Sequence, residues 1–309
     1  MQENTNPETR KRILYVENGI GYGGAIICLR HLVRNLDKRR YEALVITGRG
    51  GEMYEDIAND AGWKHIPDRH IDIAGMKQYL DSSPRLAGNR VVGFVLNQML
   101  ARLDDLGNFL PHFLQLFWTA IRFRPAIIHA NNEPLCNRAA LFVGKILRIP
   151  VVCHVRGTLG PDRGGSKMIR WLYDLPDCFM TVSKWISNSM GDFGVPRVKR
   201  HVVYDGIQLE DMDTGADGAA FRQDFGIAEG DFAVGLVGLL IPWKGQALFL
   251  DAAAELAGTI PGLKMMVVGG TPDDCAGYEK QLRETVERKG LGDTVTFTGH
   301  VSDMPAVYN

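Results

Sequence analysis

No charge of either sign predominates in this sequence. Thirty-five Lys and Arg stand against thirty-six Asp and Glu, a formal net charge of −1, so the molecule as a whole has no field that would gather DNA or RNA phosphates. No nucleic-acid partner is expected. Cysteine is sparse as well: Cys28, Cys136, Cys153, Cys178 and Cys275 stand singly with no C-x-x-C, a spacing that suits thiols in a reducing compartment better than disulfides or structural zinc. The sequence has no H-E-x-x-H, EF-hand loop or clustered Cys/His pattern, so no metal and no resident cofactor are expected. It has no G-x-S-x-G nucleophile elbow either. Long hydrophobic runs are also missing. Val91 to Leu100 and Phe109 to Ile121 are interrupted by Asn97, Gln98, Pro111, His112 and Gln115, too short to cross a hydrocarbon core of ~30 Å. Residues 1–12 are polar with no apolar run behind a basic start. They read as a flexible N-terminus rather than a secretion signal, and the expected location is cytoplasmic.

What is present is a globular composition, 45% hydrophobic and 23% charged over 309 residues, enough for two domains. Short Val- and Ile-rich runs alternate with amphipathic stretches, the pattern of βαβ units around a parallel sheet buried on both faces. Strands are predicted at Ile13 to Glu17, Ala43 to Thr47, Ala126 to Ala130, Val151 to His154, Cys178 to Val182 and His201 to Tyr204. Helices are predicted at Ala25 to Leu36, Met53 to Ala61, Leu135 to Leu147 and Trp185 to Asp192. Residues 69–124 break the rhythm and read as a helical insertion. In it Phe113, Phe117 and Ile121 recur at helical spacing, widened by Leu110, Leu114 and Trp118, with Arg122 and Arg124 at the end where cations suit the dipole. That stripe reads as a core-facing surface; its sharper reading is a surface for lipid, which admits peripheral contact with the inner membrane face, or for a greasy acceptor.

Residues 13–209 thus form an expected first domain, 210–217 an acidic linker and 218–309 a second domain. The second has strands at Ala233 to Val237, Lys264 to Val268 and Val295 to Thr298, and helices at Gln246 to Ala257 and Ala276 to Lys289. Ser302 or Asp303 is expected to cap a further helix that stops about one turn in. Three parallel strands with one face partly covered leave an unpaired edge, so the second domain reads as cut short and self-association through that edge as a consequence.

Three segments carry candidate chemistry. Gly19 to Gly24 follows the first strand and opens a helix, matching G-x-G-x-x-G, which brings backbone N–H groups and a positive helix end to a phosphate. A dinucleotide is disfavoured, because the second strand runs into Thr47-Gly48-Arg49 and not into an acidic residue. A ligand-free tight turn is the alternative. Val151 to Val155 ends near His154, Arg156 and Gly157, at the carboxyl end where open α/β sheets bind ligands. His154 reads as a hydrogen-bonding or proton-transferring group or as a structural histidine. Arg156 reads as a phosphate or acceptor contact, or as the partner of a carboxylate at the rim. Gly238 to Gln246 places Lys244 near a helix start, where charge and amides suit a diphosphate; the alternative is a solvated surface lysine. The P-loop pattern is absent.

In order and spacing these segments resemble glycosyltransferase family 4, retaining enzymes of the GT-B fold that use nucleotide sugars. The resemblance runs from Ile13 onward. It rests on Gly21 to Gly24, His154, Val182-Ser183-Lys184-Trp185, Asp205-Gly206-Ile207-Gln208, Gly238 to Gly245 and Phe297-Thr298-Gly299 with Asp303. It implies two Rossmann-like parallel-sheet domains facing a cleft, the second incomplete, with the acceptor held by the first and the nucleotide sugar by the second. It further implies that Lys244 and the amides of Gly23 and Gly24 stabilise a leaving diphosphate, that His154 lies near the sugar or the attacking centre, and that Gly299, His300 and Val301 approach the base, with Gly238 in the same donor site. Two departures stand out. Leu239 replaces an arginine of the family pattern, and a downstream E-x7-E segment is missing.

The reading that follows is transfer of a sugar from a nucleotide diphosphate to a carbohydrate or lipid-linked acceptor. The alternatives are a noncatalytic remnant that binds an acceptor or partner chain through its first lobe and, more remotely, a GT-B sugar-nucleotide epimerase.

Overall fold

The Val- and Ile-rich runs assemble into two parallel sheets, one in each of two compact units, Met1–Ile207 and Gln208–Asn309. The computed structural model describes residues 10–19, 23–68, 95, 99, 102, 105–157, 167–209, 215, 217–272 and 275–309. Residues 1–9 of the expected flexible start, Gly21, most of the insertion before 105 and most of the linker lie outside the described residues, while Lys11 and Arg12, expected in that flexible start, belong to the first strand, which they extend by pairing with Tyr41 and Glu42.

The first unit holds β1 (Lys11–Glu17), β2 (Tyr41–Thr47), β3 (Gly62–His65), β4 (Ile127–Asn131), β5 (Val151–Val155), β6 (Cys178–Thr181) and β7 (Arg200–Val202). Their spatial order is β3-β2-β1-β4-β5-β6-β7. Its longer helices among the described residues are α1 (Gly24–Arg34), α2 (Leu110–Phe123), α3 (Arg138–Leu147), α4 (Lys167–Asp174) and α5 (Lys184–Asp192), and the helix expected at Met53 to Ala61 is a single α-turn, Glu52–Glu55, followed by a 3-10 turn, Asp56–Asn59. Because strand side chains alternate faces, Leu14 and Val16 of β1 enter a core with Leu116, Ile128, Leu141 and Phe179, whereas Tyr15 enters another with Ile26, Leu29 and Val33 of α1. The order of strands reverses between β1 and β4, which opens a crevice beyond their carboxyl ends.

The insertion helix α2 corrects the expected stripe. Its buried residues are His112, Leu116, Thr119 and Ala120. Phe113 and Phe117 pack at the flank of the core, while Leu114, Trp118 and Ile121 are 45%, 60% and 37% exposed. The core face includes a histidine and a threonine, both internally bonded: His112 Nδ1 lies 3.2 Å from the Ile66 carbonyl oxygen, and Thr119 donates to the Gln115 carbonyl at 2.8 Å. Hydrophobicity alone therefore points to the wrong side of this helix. Short elements that escaped the sequence reading include β3, which is four residues long and mostly exposed, and α4 and α6 (Gly218–Asp224), which lack long apolar periods.

In the second unit β8 (Phe232–Val237), β9 (Leu263–Val268) and β10 (Val295–Gly299) pair in parallel, in the order β10-β9-β8. Met265 and Val267 of β9 pack against α7 (Gln246–Leu256) and α8 (Ala276–Arg288) through Leu250, Ala253, Leu282 and Val286. Met266 and Val268 face the other way, towards Phe221 and Phe225 around α6 and towards Val301 and Val307. Of the two expected caps, Asp303 is the one that serves α9 (Met304–Tyr308), accepting from the Ala306 N–H at 3.1 Å. On β8, Phe232 and Val237 are partly exposed.

Candidate functional site

Three adjacent strands of the first unit carry polar residues in register near their carboxyl ends: Glu17 lies opposite Asn131, and Asn131 opposite His154. All three are buried. The Glu17 carboxylate accepts from the Asn131 amide, from Asn132 Nδ2 at 2.6 Å and from the Gly19 N–H at 2.7 Å. Asn132 reaches it from a left-handed backbone, φ 82°, a conformation that asparagine tolerates better than most residues. Burial raises the Glu17 carboxyl to about 7, against the lowering pull of those donors and of Arg156.

Arg156 ties this row to the chain that follows β7. Its guanidinium pairs with Asp205, reaches the Asn131 Oδ1 through Nε and Nη2 at 3.3 Å, and lies 3.3 Å from His154 Nδ1 through Nη2. The structure thus realises the rim-carboxylate reading of Arg156, and supplies the carboxylate as Asp205 of the Asp205-Gly206-Ile207-Gln208 segment. Cys28 of α1 contacts the same pair; burial, then the Asp205 charge, raises its thiol. Burial, with Arg156 adding to it, lowers the His154 pKa to about 3, and burial also takes His129, whose ring centroid is 5.4 Å away, to about 3. Both imidazoles are therefore neutral at physiological pH. Their Nε2 atoms have no hydrogen-bond partner among the described residues.

Gly23 is the residue before α1, and a Cβ on Gly24 would meet nothing within 4 Å. The first turn of α1 contains no acidic side chain. Among the described residues of that turn no carboxylate offsets the positive end that its leading N–H groups present.

The second unit gathers glycines at the carboxyl ends of its strands. Gly238 (φ 156°) follows β8, Gly269 (φ 151°) and Gly270 follow β9, and Gly299 (φ 71°) ends β10. They are held backbone to backbone: the Gly238 N–H bonds the Val268 carbonyl at 2.8 Å, Leu240 the Gly270 carbonyl at 3.0 Å and Gly269 the Gly299 carbonyl at 3.0 Å. A Cβ on Gly270 would stand 3.3 Å from the Cβ of His300. Lys244 closes a 3-10 turn, Pro242–Lys244, and its Cδ would lie 3.8 Å from a Cβ on Gly238. The turn leads through Gly245 (φ 84°) into α7, where Gln246 is buried and donates to the Leu239 carbonyl at 2.8 Å. Val301 belongs to the small core behind these loops. Gly238, Lys244, Gly299 and His300 are thereby brought together, and Gly269 and Gly270 join them. Sequence reasoning missed that pair, although a Val-Val-Gly-Gly strand end was its signal.

A separate apolar pocket of about 410 Å³ opens on the first unit, lined by Leu106, Phe109, Leu110, Phe142 and Trp171 among others, with Asp105 and Arg138 at its polar side. Those two form an ion pair at 3.5 Å, and Arg138 lies over the Phe109 ring at 4.4 Å. Among the described residues no group of His, Cys, Asp and Glu is arranged to hold a metal ion, and no helix is long and apolar enough to cross a membrane.

Comparison with known proteins bears on both units. The family model Glycosyltransferase Family 4 matches residues 22–211, and Glycosyl transferases group 1 matches residues 217–309. Among curated proteins, the D-inositol 3-phosphate glycosyltransferase of Mycobacteroides abscessus is 32% identical over 96 residues, 31% of this chain and 20% of that protein. Its counterpart in Nocardia farcinica is 34% identical over 107 residues, 34% of this chain and 24% of that protein. The matched segments thus span less than a quarter of the length of either relative. Among solved structures, Anabaena Alr3699/HepE in complex with UDP and glucose superposes with a TM-score of 0.73 at 21% identity, covering 96% of this chain and 71% of that one. At that identity the match shows the fold, two Rossmann-like parallel-sheet units of the GT-B kind.

Proposed function

The chain belongs to glycosyltransferase family 4, and from that premise we propose that it moves a sugar from a nucleoside diphosphate donor to a carbohydrate or lipid-linked acceptor, with retention at the anomeric carbon. The observation that carries this reading is the glycine-lined rim of the second unit with Lys244 beside it. Glycines without Cβ atoms let a diphosphate approach the backbone, and the ammonium opposes the charge that grows on the leaving group. Gly299 and His300 flank the same rim and are assigned to the base. UDP is the first nucleotide to test, since the Anabaena structure was solved with it.

In the first unit the leading amides of α1, at Gly23 and Gly24, suit an anion, and His154 is assigned to the sugar or the attacking hydroxyl. The apolar pocket and the exposed Leu114 and Trp118 of α2 favour an acceptor with a hydrophobic part, and with it contact at a membrane surface. Residues 13–209 as acceptor domain and 218–309 as donor domain belong to the same proposal, as does self-association through the edge of β8.

Thermal-shift titration with UDP, GDP, ADP and the matching nucleotide sugars tests the reading, because a ligand that binds only the folded state raises Tm. One nucleotide is expected to give a saturable rise that Lys244→Ala abolishes. A folded chain whose Tm none of them moves would overturn the proposal.

A further inference from the structure

His154 sits at the end of a chain of hydrogen bonds in which each partner's role is dictated by the one before. The Glu17 carboxylate takes the Asn131 amide nitrogen, which turns the Asn131 Oδ1 towards Arg156. The Arg156 guanidinium is held by that oxygen on one side and by the Asp205 carboxylate on the other, which leaves Nη2 directed at His154 Nδ1, 3.3 Å away. A guanidinium has donors and no acceptor. Nδ1 must therefore be the lone-pair nitrogen, and the ring proton must sit on Nε2, a buried atom with no acceptor among the described residues.

We propose that Arg156 is a positioning residue which, oriented by Glu17 through Asn131 and by Asp205, fixes His154 in the Nε2–H tautomer, so that the imidazole serves as a fixed neutral hydrogen-bond donor to substrate. This rests on the transferase reading only for its last clause, since the tautomer is a property of the free chain. It also excludes His154 as a general base through Nε2: that nitrogen carries its proton in the neutral ring and has no lone pair to accept another. Aspartate pairing explains why the position calls for arginine. Its planar fork meets Asp205, Asn131 and His154 together, which a lysine ammonium does only in part.

The test is long-range ¹H–¹⁵N correlation on the full chain with ¹⁵N-labelled histidine, the His154 signals being assigned by their loss in His154→Gln. The wild type is expected to show a protonated Nε2 and a bare Nδ1. Arg156→Lys, still a donor, is expected to keep that pattern, whereas Arg156→Met should draw the two nitrogen shifts together as both tautomers become populated. A protonated Nδ1 in the wild type, or an Arg156→Met spectrum identical to it, would overturn the assignment. Should Arg156→Met not fold, the wild type and Arg156→Lys decide the matter, since a protonated Nδ1 in either overturns it. In a sugar-transfer assay Arg156→Met is expected to lower kcat about 100-fold, as small misplacements of a reacting group do, with little change in donor KM. Arg156→Lys should recover at least part of that loss. Unchanged kcat in Arg156→Met would overturn the positioning role, and a correct tautomer in a chain that transfers no sugar would instead count against the transferase reading alone.

Discussion

Gly269 and Gly238 meet backbone to backbone, so closely that a Cβ on Gly269 would overlap the Gly238 carbonyl. Both also have φ values that L side chains rarely adopt. The loops after β8 and β9 are thus packed as one surface, and the shape of that surface depends on the absence of two methyl groups.

Gly269→Ala is therefore expected to destabilise the second unit by at least about 2 kcal/mol, overlap and strain acting together, and to lower nucleotide affinity in the same titration. Gly277→Ala is the control. It lies in α8 with open space at the Cβ position, and a gain of about 0.5 kcal/mol is expected from helix propensity. Urea unfolding of both variants reads the difference.

Glu17 gives a pH-dependent stability of defined sign. Its carboxyl titrates near 7 in the folded chain against 4.5 as the ordinary value, so the folded state keeps a proton that the unfolded state has lost. The contribution is fully present below about pH 4.5 and is lost as pH rises to about 7, amounting to roughly 3 kcal/mol. Glu17→Gln should remove that slope. Denaturation midpoints of wild type and variant at pH 5 and pH 8 would show it as a difference that changes with pH; a constant difference would refute it.

For His154 the sign is opposite. Its folded pKa, about 3, lies below the ordinary 6.5, so its stabilising contribution is present above 6.5 and lost as pH falls towards 3. Between pH 5 and 8 the ring faces Arg156 and His129 without changing charge. A pH–rate profile over that range should carry no limb that His154→Gln removes.

The two sides of α2 should respond differently to truncation. Leu116 is fully buried, and Leu116→Ala is expected to cost about 2–5 kcal/mol. Trp118 is 60% exposed, and Trp118→Ala is expected to stay within about 1 kcal/mol. If the exposed side meets lipid, the same Trp118→Ala variant should bind anionic vesicles more weakly in a flotation assay while Leu116→Val does not.

The parallel sheets were legible because a strand buried on both faces must be apolar throughout, and Leu14 to Val16 or Met265 to Val268 can be little else. The strand-end histidine and the lysine near a helix start were legible for a related reason: polar residues at the end of such a run, or in the loop that follows it, fall on the carboxyl side of the sheet. Glu17 and Asn131 were not. Each was counted as the last residue of its strand or passed over beside it, because a buried carboxylate is betrayed by its donors, and two of the three, the Asn131 and Asn132 amides, come from residues 114 and 115 positions away. The wrong face of α2 has a similar origin. A threonine bonded to its own helix and a histidine whose partners, Asn18 and the Ile66 carbonyl, lie far away in sequence both pack as core residues, and for the histidine nothing local announces that satisfaction.

The bond between Glu17 and Asn131 joins residues 114 positions apart, across the point where the strand order reverses. Such a contact cannot precede the docking of β4 on β1, and closing a loop of that length is slow compared with forming any helix of the unit. Asn131, Arg156 and His154 inherit the delay, since each is oriented by the one before it. The polar row therefore forms only with the pairing of β4 on β1, and a chain in which those strands are apart lacks it whatever helices it has gained.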